Sequence, residues 1–407
     1  MDIIYLSSSC SDQRFDRLRE QGLKKLPQAQ KYHRLMIEGL ASNIDGQVYC
    51  ISALPINREF SKQLRFAGEE EIIGNIHYIY NAFINFIGAS QFSRYRSAKK
   101  SIKSLYKKSG ELAIVCDVLN QSMAKAARKI GKKHRIPVVG IVTDVPGYTS
   151  GARRKSYSFL KRKIADFAEK KAKKSVSEYD AYLFLTEAMN DVVNKNARPY
   201  IVIEGQCDAQ MQKVENLFSA KAEPKVLMYA GGIHKEFGIA RMVNAFLRGG
   251  YDGWELHIYG DGNYQRELQE IAKTHSNVKY FGVRPNAEVV AKQLEATVLI
   301  NPRLTDAEYV KYSFPSKTME CMASGTPLLT TRLPGMPKEY YDYVYFIDDE
   351  TEEGMQKAFD AILSISAKEH HELGARAKQF ILNEKNNVIQ AKKLLDFIEK
   401  GKTLWKK

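Results

Sequence analysis

The chain has 407 residues, of which 44% are hydrophobic and 27% charged, so it is long enough for two domains and has the composition of a soluble globular protein. It shows no signal peptide, no apolar run near the roughly eighteen residues of a membrane span, no CxxC or HExxH motif and no disulfide framework, which predicts a cytoplasmic protein without a metal site. The net charge of +15 lies almost entirely in residues 1–210, with 35 Lys and Arg against 21 Asp and Glu, and such a basic half attracts anionic lipids, nucleic acid or phosphorylated substrates.

The first half alternates short apolar runs with amphipathic segments. Strands are predicted at residues 2–7, 48–54, 111–118, 136–146, 180–186 and 199–205, and helices at 30–41, 120–134 and 187–193. The polar segment 8–29 is predicted to be a long and therefore functional loop. This alternation is typical of a parallel sheet with helices on both faces.

Two stretches of the first half allow two interpretations each. The segment 72–88 is apolar and aromatic but interrupted by Asn and Gly, and it predicts a core helix or, alternatively, a face that touches lipid or a lipid-linked substrate. The basic stretch 153–174 predicts a solvated helix or a site for acidic headgroups. The pattern alone does not choose between them.

The second half repeats the rhythm. Strands are predicted at 225–233, 255–262, 277–283, 296–301, 327–331 and 342–347, and the chain ends in a helix near 386–400 with a Lys-rich tail. The expected fold class is α/β, with two doubly wound Rossmann-like domains facing a cleft. The predicted boundaries are a first domain at 1–205, a linker at 206–224, a second domain at 225–385, and a helix and basic tail at 386–407 that can pack back on the first domain.

Glycines and cations follow the predicted strands of the second half, where ligands of open α/β sheets bind. Gly231 and Gly232 allow close approach of a phosphate or sugar, although each glycine alone can be a simple tight turn. Arg303 and Lys317 are predicted to bind a diphosphate, with Lys235 as a third candidate. The alternative for each cation is an ordinary surface position.

The segment 312–327, YSFPSKTMECMASGTP, predicts a short helix with Ser313 as its N-cap and Pro315 in its first turn. The free N–H groups and the positive dipole end of such a helix suit a phosphate. Glu320 lies six residues past Phe314, roughly 9 Å along the axis, and its side chain leans back toward the helix start. A phosphate at the helix start and sugar hydroxyls at Glu320 together describe a nucleotide-sugar site.

The order YAGGIHKEFGI, ELHIYGDG, VKYFGVRPNAEV and SFPSKTMECMASGTPLL resembles the nucleotide-sugar domain of the glycosyltransferases of family 4, which have the GT-B fold. The resemblance covers most of residues 225–350, and the YSFPSK variant with an upstream NPR is similar to bacterial members that build surface polysaccharides. In that family the second Glu of an E-x7-E element binds the donor ribose, and it matches Glu320. The first Glu falls on Tyr312, so its role must be absent or supplied by backbone N–H groups of residues 313–315.

The resemblance also implies positions for the rest of the donor. Backbone groups of Val283 or Arg284 would lie against the base, and the donor sugar would lie near Ser313, Phe314, Pro315 and Ser316. Where the family tends to carry a phosphate-binding Arg and Lys, this chain has Gly232 and Phe237, which places more weight on Arg303 and Lys317. The resemblance implies transfer with retention of configuration, without a metal or cofactor.

In the first half, Asp144 follows a predicted strand at its carboxyl end and is the candidate for orienting or deprotonating an acceptor hydroxyl. The alternative is an aspartate that caps the next turn, DVPGY. Asp117 is the second candidate and His33 a weaker one.

These observations together predict a cytoplasmic glycosyltransferase, peripheral at the inner face of the plasma membrane. Its partners would be a nucleotide diphosphate sugar, a glycan or lipid-linked glycan acceptor, and the anionic membrane surface. A non-catalytic subunit that keeps the fold is the first alternative, motivated by Tyr312 and the missing clamp. A nucleic-acid-binding protein is the second, but the sequence contains no recognisable nucleic-acid motif, so no such partner is expected.

Overall fold

The computed structural model describes residues 1–22, 28–145, 163, 166, 170 and 172–401. The chain divides into two compact units, of which unit 1 contains Met1–Gln206 and Asn387–Lys407 and unit 2 contains Cys207–Asn386. Most of the basic stretch 153–174, and all of the tail 402–407, lie outside the described residues. Among the described helices none is long and apolar enough to cross a membrane.

Unit 1 is built on one large sheet and one small ribbon. Its strands are β1 (Asp2–Ser7), β2 (Val48–Ser52), β3 (Arg65–Phe66), β4 (Glu69–Ile73), β5 (Ile76–Tyr80), β6 (Phe83–Ile84), β7 (Leu112–Asp117), β8 (Val138–Val142), β9 (Ala181–Phe184) and β10 (Tyr200–Val202). The large sheet has the order β10-β9-β8-β7-β1-β2-β5-β4, and only its edge strand β4 runs antiparallel to its neighbour. The strands β7 and β8 are buried along their whole length, as expected for a parallel sheet covered on both faces.

Helices cover the faces of this sheet. They are α1 (Asp12–Glu20), α2 (Gln28–Ala41), α3 (Ala89–Tyr106), α4 (Gln121–His134) and α5 (Glu187–Val193). The predicted helices at 30–41 and 120–134 are confirmed by α2 and α4, and the strands predicted at 2–7, 48–54, 111–118 and 136–146 are confirmed by β1, β2, β7 and β8.

Two predictions for unit 1 are wrong. The segment 72–88 forms no helix, because Gly74, with a φ of +59°, makes a tight turn between β4 and β5 and the chain continues into β6. The side chain of Asn75 holds this turn by donating to the carbonyl oxygens of Ala41, Ile44 and Gly46.

The segment 8–29 is not one long loop, because it contains α1, whose N-cap Ser11 accepts a hydrogen bond from the Arg14 N–H.

Unit 2 contains a fully parallel sheet in the order β13-β12-β11-β14-β15-β16. Its strands are β11 (Lys225–Ala230), β12 (Trp254–Tyr259), β13 (Val278–Gly282), β14 (Val298–Asn301), β15 (Leu328–Thr331) and β16 (Tyr345–Ile347). Its helices are α6 (Ile239–Gly249), α7 (Gln265–Thr274), α8 (Asn286–Glu295), α9 (Ser316–Ser324), α10 (Glu352–Leu363) and α11 (Ala367–Glu384). The strand order reverses beside β11, because β12 lies on one side of it and β14 on the other. In a doubly wound sheet such a reversal is where ligands bind.

The end of the chain belongs to unit 1. Helix α12 (Asn387–Gly401) packs along α2, where Gly39 leaves room for the backbone of Asn387. The side chain of Asn43 donates to the Val388 carbonyl, and that of Gln390 donates to the Gly205 carbonyl. The residues between Gln206 and β11, which the sequence suggests as a linker, lie in unit 2 and contain two short 3-10 helices.

Candidate functional site

The glycine turns after β11 and β12 lie against each other with no space for side chains between them. Gly231 N–H donates to the Tyr259 carbonyl at 2.9 Å, and Ile233 N–H donates to the Asp261 carbonyl at 2.8 Å. Gly260 has a φ of +130°, and a Cβ atom there would overlap the Gly231 carbonyl oxygen. The two turns are therefore held backbone to backbone, and Gly260 satisfies both the backbone conformation and the close approach.

The ammonium group of Lys317 lies directly over the first of these turns. A Cβ atom on Gly231 would overlap Lys317 Nζ, so the glycine makes the space that the lysine occupies. Nζ also lies 5.2 Å from the centroid of the Tyr229 ring, whose hydroxyl donates to the Gly232 carbonyl at 2.8 Å. The Lys317 side chain thereby connects the glycine turn after β11 with the start of helix α9.

The environment of Lys317 disfavours its charge. Burial lowers the pKa of its ammonium group, Cys321 and Glu320 act in the opposite direction, and the positive charge of Arg303 lowers the pKa further. A nearby anion would favour the charged form of Lys317 and so offset the effects of burial and of Arg303 on its pKa. The lowered pKa and the contact with Gly231 show a partly desolvated cation at this turn, an environment that suits an anion.

Arg303 lies close to two aromatic rings. Its Cζ atom lies 5.7 Å from the centroid of Phe237 and 5.4 Å from that of Tyr309, and its backbone carbonyl accepts a hydrogen bond from Thr331 Oγ1. Its Nε is buried and has no hydrogen-bond partner among the described residues. The two ring contacts restrict the guanidinium group, and its buried Nε is available to an acceptor such as a phosphate oxygen.

Phe237 and Tyr309 are residues that the sequence did not identify as functional. Phe237 stands where the resembling family tends to carry a phosphate-binding lysine, and in this structure it supports the guanidinium of Arg303 instead. The site therefore keeps a cation near that position, contributed by the loop after β14. The sequence offered one signal for this arrangement. Phe237 replaces the family lysine, and Arg303 lies at the end of another strand.

Lys235 does not join the two cations. Its Nζ forms a salt bridge of 2.6 Å with Glu267 on α7, and both side chains are about half exposed, at 52% and 55%. Its backbone N–H donates to Asn263 Oδ1. The structure thus places its charge on the surface of the α7 side of the loop.

The start of α9 differs from the sequence prediction. The N-cap is Pro315, the helix begins at Ser316, and no side chain caps it. Ser313 ends the preceding 3-10 helix (Glu308–Tyr312), where its Oγ donates to the Val310 carbonyl instead of capping α9. The prediction of Ser313 as the N-cap is wrong because Pro315 fixes the extended conformation that precedes the helix. An uncapped start leaves backbone donors for a ligand.

The side chain of Phe314 belongs to the core of unit 2. It is 5% exposed and packs on the ring of Tyr340, with 5.4 Å between centroids. Only its backbone can face a ligand at the helix start. Tyr312, in place of the first family glutamate, is also buried at 5% exposure.

Glu320 lies one turn after Lys317 on α9 and remains half-buried. Residues three apart on a helix share a face, and the negative charge of Glu320 raises the pKa of Lys317. The structure therefore brings together Gly231, Gly232, Arg303, Lys317 and Glu320. Val283, which is 69% exposed, and Arg284, whose Nε donates to the Phe281 carbonyl, lie exposed past the end of β13 at the sheet edge.

The candidates of unit 1 separate into buried and accessible residues. His33 is fully buried, with Nδ1 2.7 Å from Tyr5 Oη and Nε2 3.6 Å from Asp117 Oδ2. Asp117 accepts hydrogen bonds from the Leu119 N–H and the Asn120 side chain, so its carboxylate holds the turn after β7. Asp144 is half-buried at a bend after β8, and the turn that follows it from residue 146 lies outside the described residues. Among the three, Asp144 keeps the exposure that a substrate contact needs.

A metal ligand set is not formed by the described residues, in which no group of three or more His, Cys, Asp or Glu side chains converges. The five cysteines are buried free thiols. The polar groups that the described site offers to a ligand are therefore the two cations, Glu320 and backbone N–H groups.

Comparison with known proteins bears on this geometry. Residues 211–380 match the model of the family described as Glycosyl transferases group 1, a range that contains the glycine turn, Arg303, Lys317 and Glu320. Over the whole chain, sucrose-phosphate synthase from Thermosynechococcus elongatus has a similar structure, with a TM-score of 0.67 at 13% identity over 98% of this chain and 99% of its own.

Two further solved structures resemble the chain over most of its length. The Anabaena protein HepE in complex with UDP has a TM-score of 0.62 at 12% identity, over 98% of this chain and 100% of its own. The glycosyltransferase WaaG, involved in lipopolysaccharide biosynthesis, has a TM-score of 0.57 at 13% identity, over 97% of this chain and 99% of its own.

The chain has the GT-B fold. No curated protein sequence matches it. The GT-B fold consists of two Rossmann-like domains, which correspond here to the sheets of units 1 and 2.

Proposed function

We propose that this GT-B protein is a retaining, metal-independent glycosyltransferase of family 4, which moves a sugar from a nucleotide diphosphate donor to a glycan acceptor. The observation that carries the proposal is the pair of cations at the glycine turn. Lys317 lies over Gly231, Arg303 lies near enough to lower its pKa, and Glu320 follows one helical turn later. A diphosphate and a ribose have the charge and hydroxyl groups to match these side chains.

Catalysis at this site would come from stabilising the leaving diphosphate. As the glycosidic bond to phosphate breaks, negative charge grows on the diphosphate oxygens. Arg303, Lys317 and the uncapped N–H groups at Ser316 are fixed beforehand by stacking, burial and the helix itself. Groups that are already oriented stabilise developing charge without reorganising during the reaction.

The remaining donor contacts follow from the same placement. Glu320 would accept the two ribose hydroxyls, and backbone groups of Val283 or Arg284 would contact the base. The transferred sugar would lie beside backbone groups of residues 313–316, since the Phe314 side chain is in the core. Gly232 lines the turn below the phosphates.

We further propose a glycan acceptor, lipid-linked, in bacterial capsule, exopolysaccharide or other surface-glycan synthesis, with Asp144 orienting or deprotonating its hydroxyl. Support comes from the involvement of WaaG in lipopolysaccharide biosynthesis and from the basic charge of residues 1–210. Such an enzyme would be cytoplasmic and peripheral at the inner face of the plasma membrane, without a nucleic-acid partner. Because the chain is similar in structure to sucrose-phosphate synthase, a soluble sugar phosphate is the acceptor to compare with the lipid-linked glycan.

A non-catalytic GT-B subunit that binds nucleotide or glycan without turnover is the second candidate. The observation favouring it is the buried Tyr312 where the family carries its first glutamate. A buried tyrosine cannot supply a carboxylate beside the donor sugar. The two candidates share a donor site and differ in turnover.

A two-step experiment tests the proposal. Thermal unfolding is first followed with a panel of nucleoside diphosphates and nucleotide sugars, with and without a chelator. A ligand at a hundred times its dissociation constant adds about 2.7 kcal/mol, which is readily measured. The stabilising nucleotide sugar is then incubated with crude lipid acceptors and, separately, with sugar phosphates, and the anomeric configuration of the product is determined.

Transfer to lipid acceptors with retention, unaffected by the chelator, supports the whole proposal. Stabilisation without transfer or hydrolysis supports the non-catalytic subunit. No stabilisation by any nucleotide refutes the donor site.

A further inference from the structure

Exposed apolar side chains in unit 1 are concentrated where the ribbon meets the start of α3. Ile87 is 88% exposed, Phe92 60%, Phe86 58%, Leu64 52% and Ile84 39%. We call these five residues the apolar apex. Four of them lie within residues 84–92, and the Asn85 N–H donates to the Leu64 carbonyl, which joins the fifth to them. Large apolar side chains at such exposure mark an interaction surface.

The ribbon turns its two faces in opposite directions. In the antiparallel pair β3–β6, Phe66 lies opposite Phe83 and Arg65 lies opposite Ile84. The rings of Phe66 and Phe83 stack at 4.8 Å, and Phe83 is buried, so this side packs inward. Arg65 and Ile84 are consequently on the outer side.

The backbone beneath the apex is well fixed. Ile84 N–H donates to Ser93 Oγ at 3.0 Å, and Ser90 N–H donates to the Phe86 carbonyl at 2.9 Å. Arg94 donates to the Leu54 and Ile56 carbonyls and lies 3.9 Å from the centroid of Phe83. The exposed side chains are therefore presented by an ordered support.

Basic side chains continue from the apex along α3. Phe92, Arg96, Lys100 and Lys103 are spaced four, four and three residues apart and all are exposed, whereas Ala98, Ile102 and Leu105 are buried on the other face. Arg96 Cζ lies 5.5 Å from the centroid of Phe92. One stripe thus begins apolar and continues cationic.

Helix α4 packs on α3 and extends the basic surface. Lys99 of α3 and Lys125 and Lys129 of α4 lie 5.9, 5.7 and 6.0 Å from the centroid of Tyr95. The sequences of α3 and α4 together contain ten Lys and Arg and no Asp or Glu. Of the three carboxylates on β4, Glu69 pairs with Arg14, Glu71 accepts from Ser11 and Tyr80, and Glu70 is exposed.

We propose that the apolar apex and the cations of α3 and α4 form a docking surface for an anionic phospholipid bilayer. The five apolar side chains would enter the acyl boundary, and Arg96, Lys100 and Lys103 would contact headgroup phosphates. Apolar burial combined with basic charge is the composition that peripheral membrane surfaces use. The inference deepens the proposed function, on which it rests for its biological role, by assigning the membrane contact to particular residues.

The experiment measures co-sedimentation of the full-length protein with vesicles of phosphatidylcholine alone and of equal parts phosphatidylcholine and phosphatidylglycerol. Wild-type protein is expected to bind the anionic vesicles, and added salt should weaken the binding. Ile87→Ser should weaken it about tenfold through lost apolar burial. Arg96→Glu with Lys100→Glu should weaken it at least about twentyfold, since each basic residue near such a surface contributes roughly fivefold.

Matched controls lie elsewhere on the same chain. Ile72 on β4 is 63% exposed, but it lies opposite His77 near the start of β5, at the end away from the ribbon. Ile72→Ser should therefore leave binding within about twofold. Lys357→Glu with Lys368→Glu repeats the charge reversal on exposed residues of unit 2. Circular dichroism and nucleotide-induced stabilisation verify that each variant is folded.

Equal loss in Ile72→Ser and Ile87→Ser, equal binding to neutral vesicles, or no binding by the wild type would each overturn the proposal. An Ile87-dependent dimer that vesicles do not dissociate would assign the surface to a second copy of the chain and also overturn it. Vesicle binding that persists in a protein stabilised by no nucleotide would sustain the docking surface while refuting the proposed function.

Discussion

The carboxyl edges of the two sheets carry different chemistry. In unit 2 that edge consists of glycine turns packed backbone to backbone, with Arg303 and Lys317 held over them. In unit 1 it carries the carboxylates of Asp117 and Asp144 at the ends of β7 and β8, together with neutral polar groups. Among the neutral groups, Ser9 Oγ, Ser52 Oγ and Asn81 Nδ2 are buried without a hydrogen-bond partner among the described residues. The first edge suits an anion, and the second suits neutral hydroxyl-bearing molecules or ordered water.

The location of positive charge makes the same distinction. Unit 2 has 21 Lys and Arg against 25 Asp and Glu but brings two cations together at one turn, where burial lowers the pKa of Lys317. Unit 1 is strongly basic, and α3 and α4 alone contain ten Lys and Arg, most of them at least partly exposed. Net charge therefore did not locate the anion site, because two charges in a partly desolvated position matter more than many in solvent.

The largest expected effect tests the proposed role of Asp144 at the carboxyl edge of the unit 1 sheet. Asp144→Asn should reduce transfer by roughly a hundredfold to ten-thousandfold, as for loss of a proton acceptor, while donor binding stays unchanged. Turnover and calorimetric binding are measured on the same preparation. Asp117→Asn is the contrasting variant, since its carboxylate holds a turn, and it should lower the free energy of unfolding by about 1–2 kcal/mol. Wild-type turnover in Asp144→Asn would remove Asp144 from the mechanism.

The substitution Glu320→Ala tests the proposed binding of the donor ribose in unit 2. Losing a carboxylate that accepts two ribose hydroxyls should weaken nucleoside diphosphate binding roughly a hundredfold. The control is Glu308→Ala, an exposed carboxylate near Lys311 on the preceding 3-10 helix. An unchanged dissociation constant in Glu320→Ala would mean that the ribose binds elsewhere.

Lys317→Met separates binding from stability. Nucleoside diphosphate affinity should fall about tenfold or more, because a charged hydrogen bond to phosphate is lost. The ligand-free protein should become more stable by a few degrees, since about 1 kcal/mol of charge burial corresponds to roughly 2–4 °C. Lys311→Met, at an exposed position, should change neither quantity. A melting temperature below wild type would show that Lys317 stabilises the ligand-free fold.

The smallest effect is a pH dependence with opposite signs for affinity and stability. Burial lowers the pKa of Lys317 in the folded protein, so its proton is lost at a lower pH than in the unfolded chain. Affinity for the diphosphate should therefore fall as pH rises through that lowered pKa. The unfavourable contribution of the buried charge to ligand-free stability is present below this pKa and disappears as pH rises toward the unfolded value.

Lys317→Arg should abolish this decline in affinity, because a guanidinium group keeps its proton throughout the range. Cys321, the neighbouring thiol, has its pKa raised by burial to about 12 and stays neutral over the same interval. Calorimetric titrations from neutral to alkaline pH measure the effect. A decline that persists in Lys317→Arg would assign it to a different group.

Parts of the site were predictable because they depend on local rules. Gly231 and Glu320 could be placed from strand ends and from helical spacing, which involve only neighbouring residues. Lys235 could not be resolved this way, since whether its ammonium turns to the site or to Glu267 depends on α7. The side chain of Phe314 went to the core for the same kind of reason, because Tyr340 from a distant segment packs against it.

The sequence by itself determined the α/β alternation, the glycine turns and the helix with Glu320, because hydrophobic period and turn chemistry act over a few residues. Only the tertiary structure decided that Phe237 and Tyr309 lie close to Arg303 and that Lys317 occupies the space above Gly231. It also decided that segment 72–88 forms strands and carries Ile84, Phe86 and Ile87 of the apolar apex. Each of these features depends on which distant segments pack together in the fold. The local sequence pattern of a segment does not specify its packing partner.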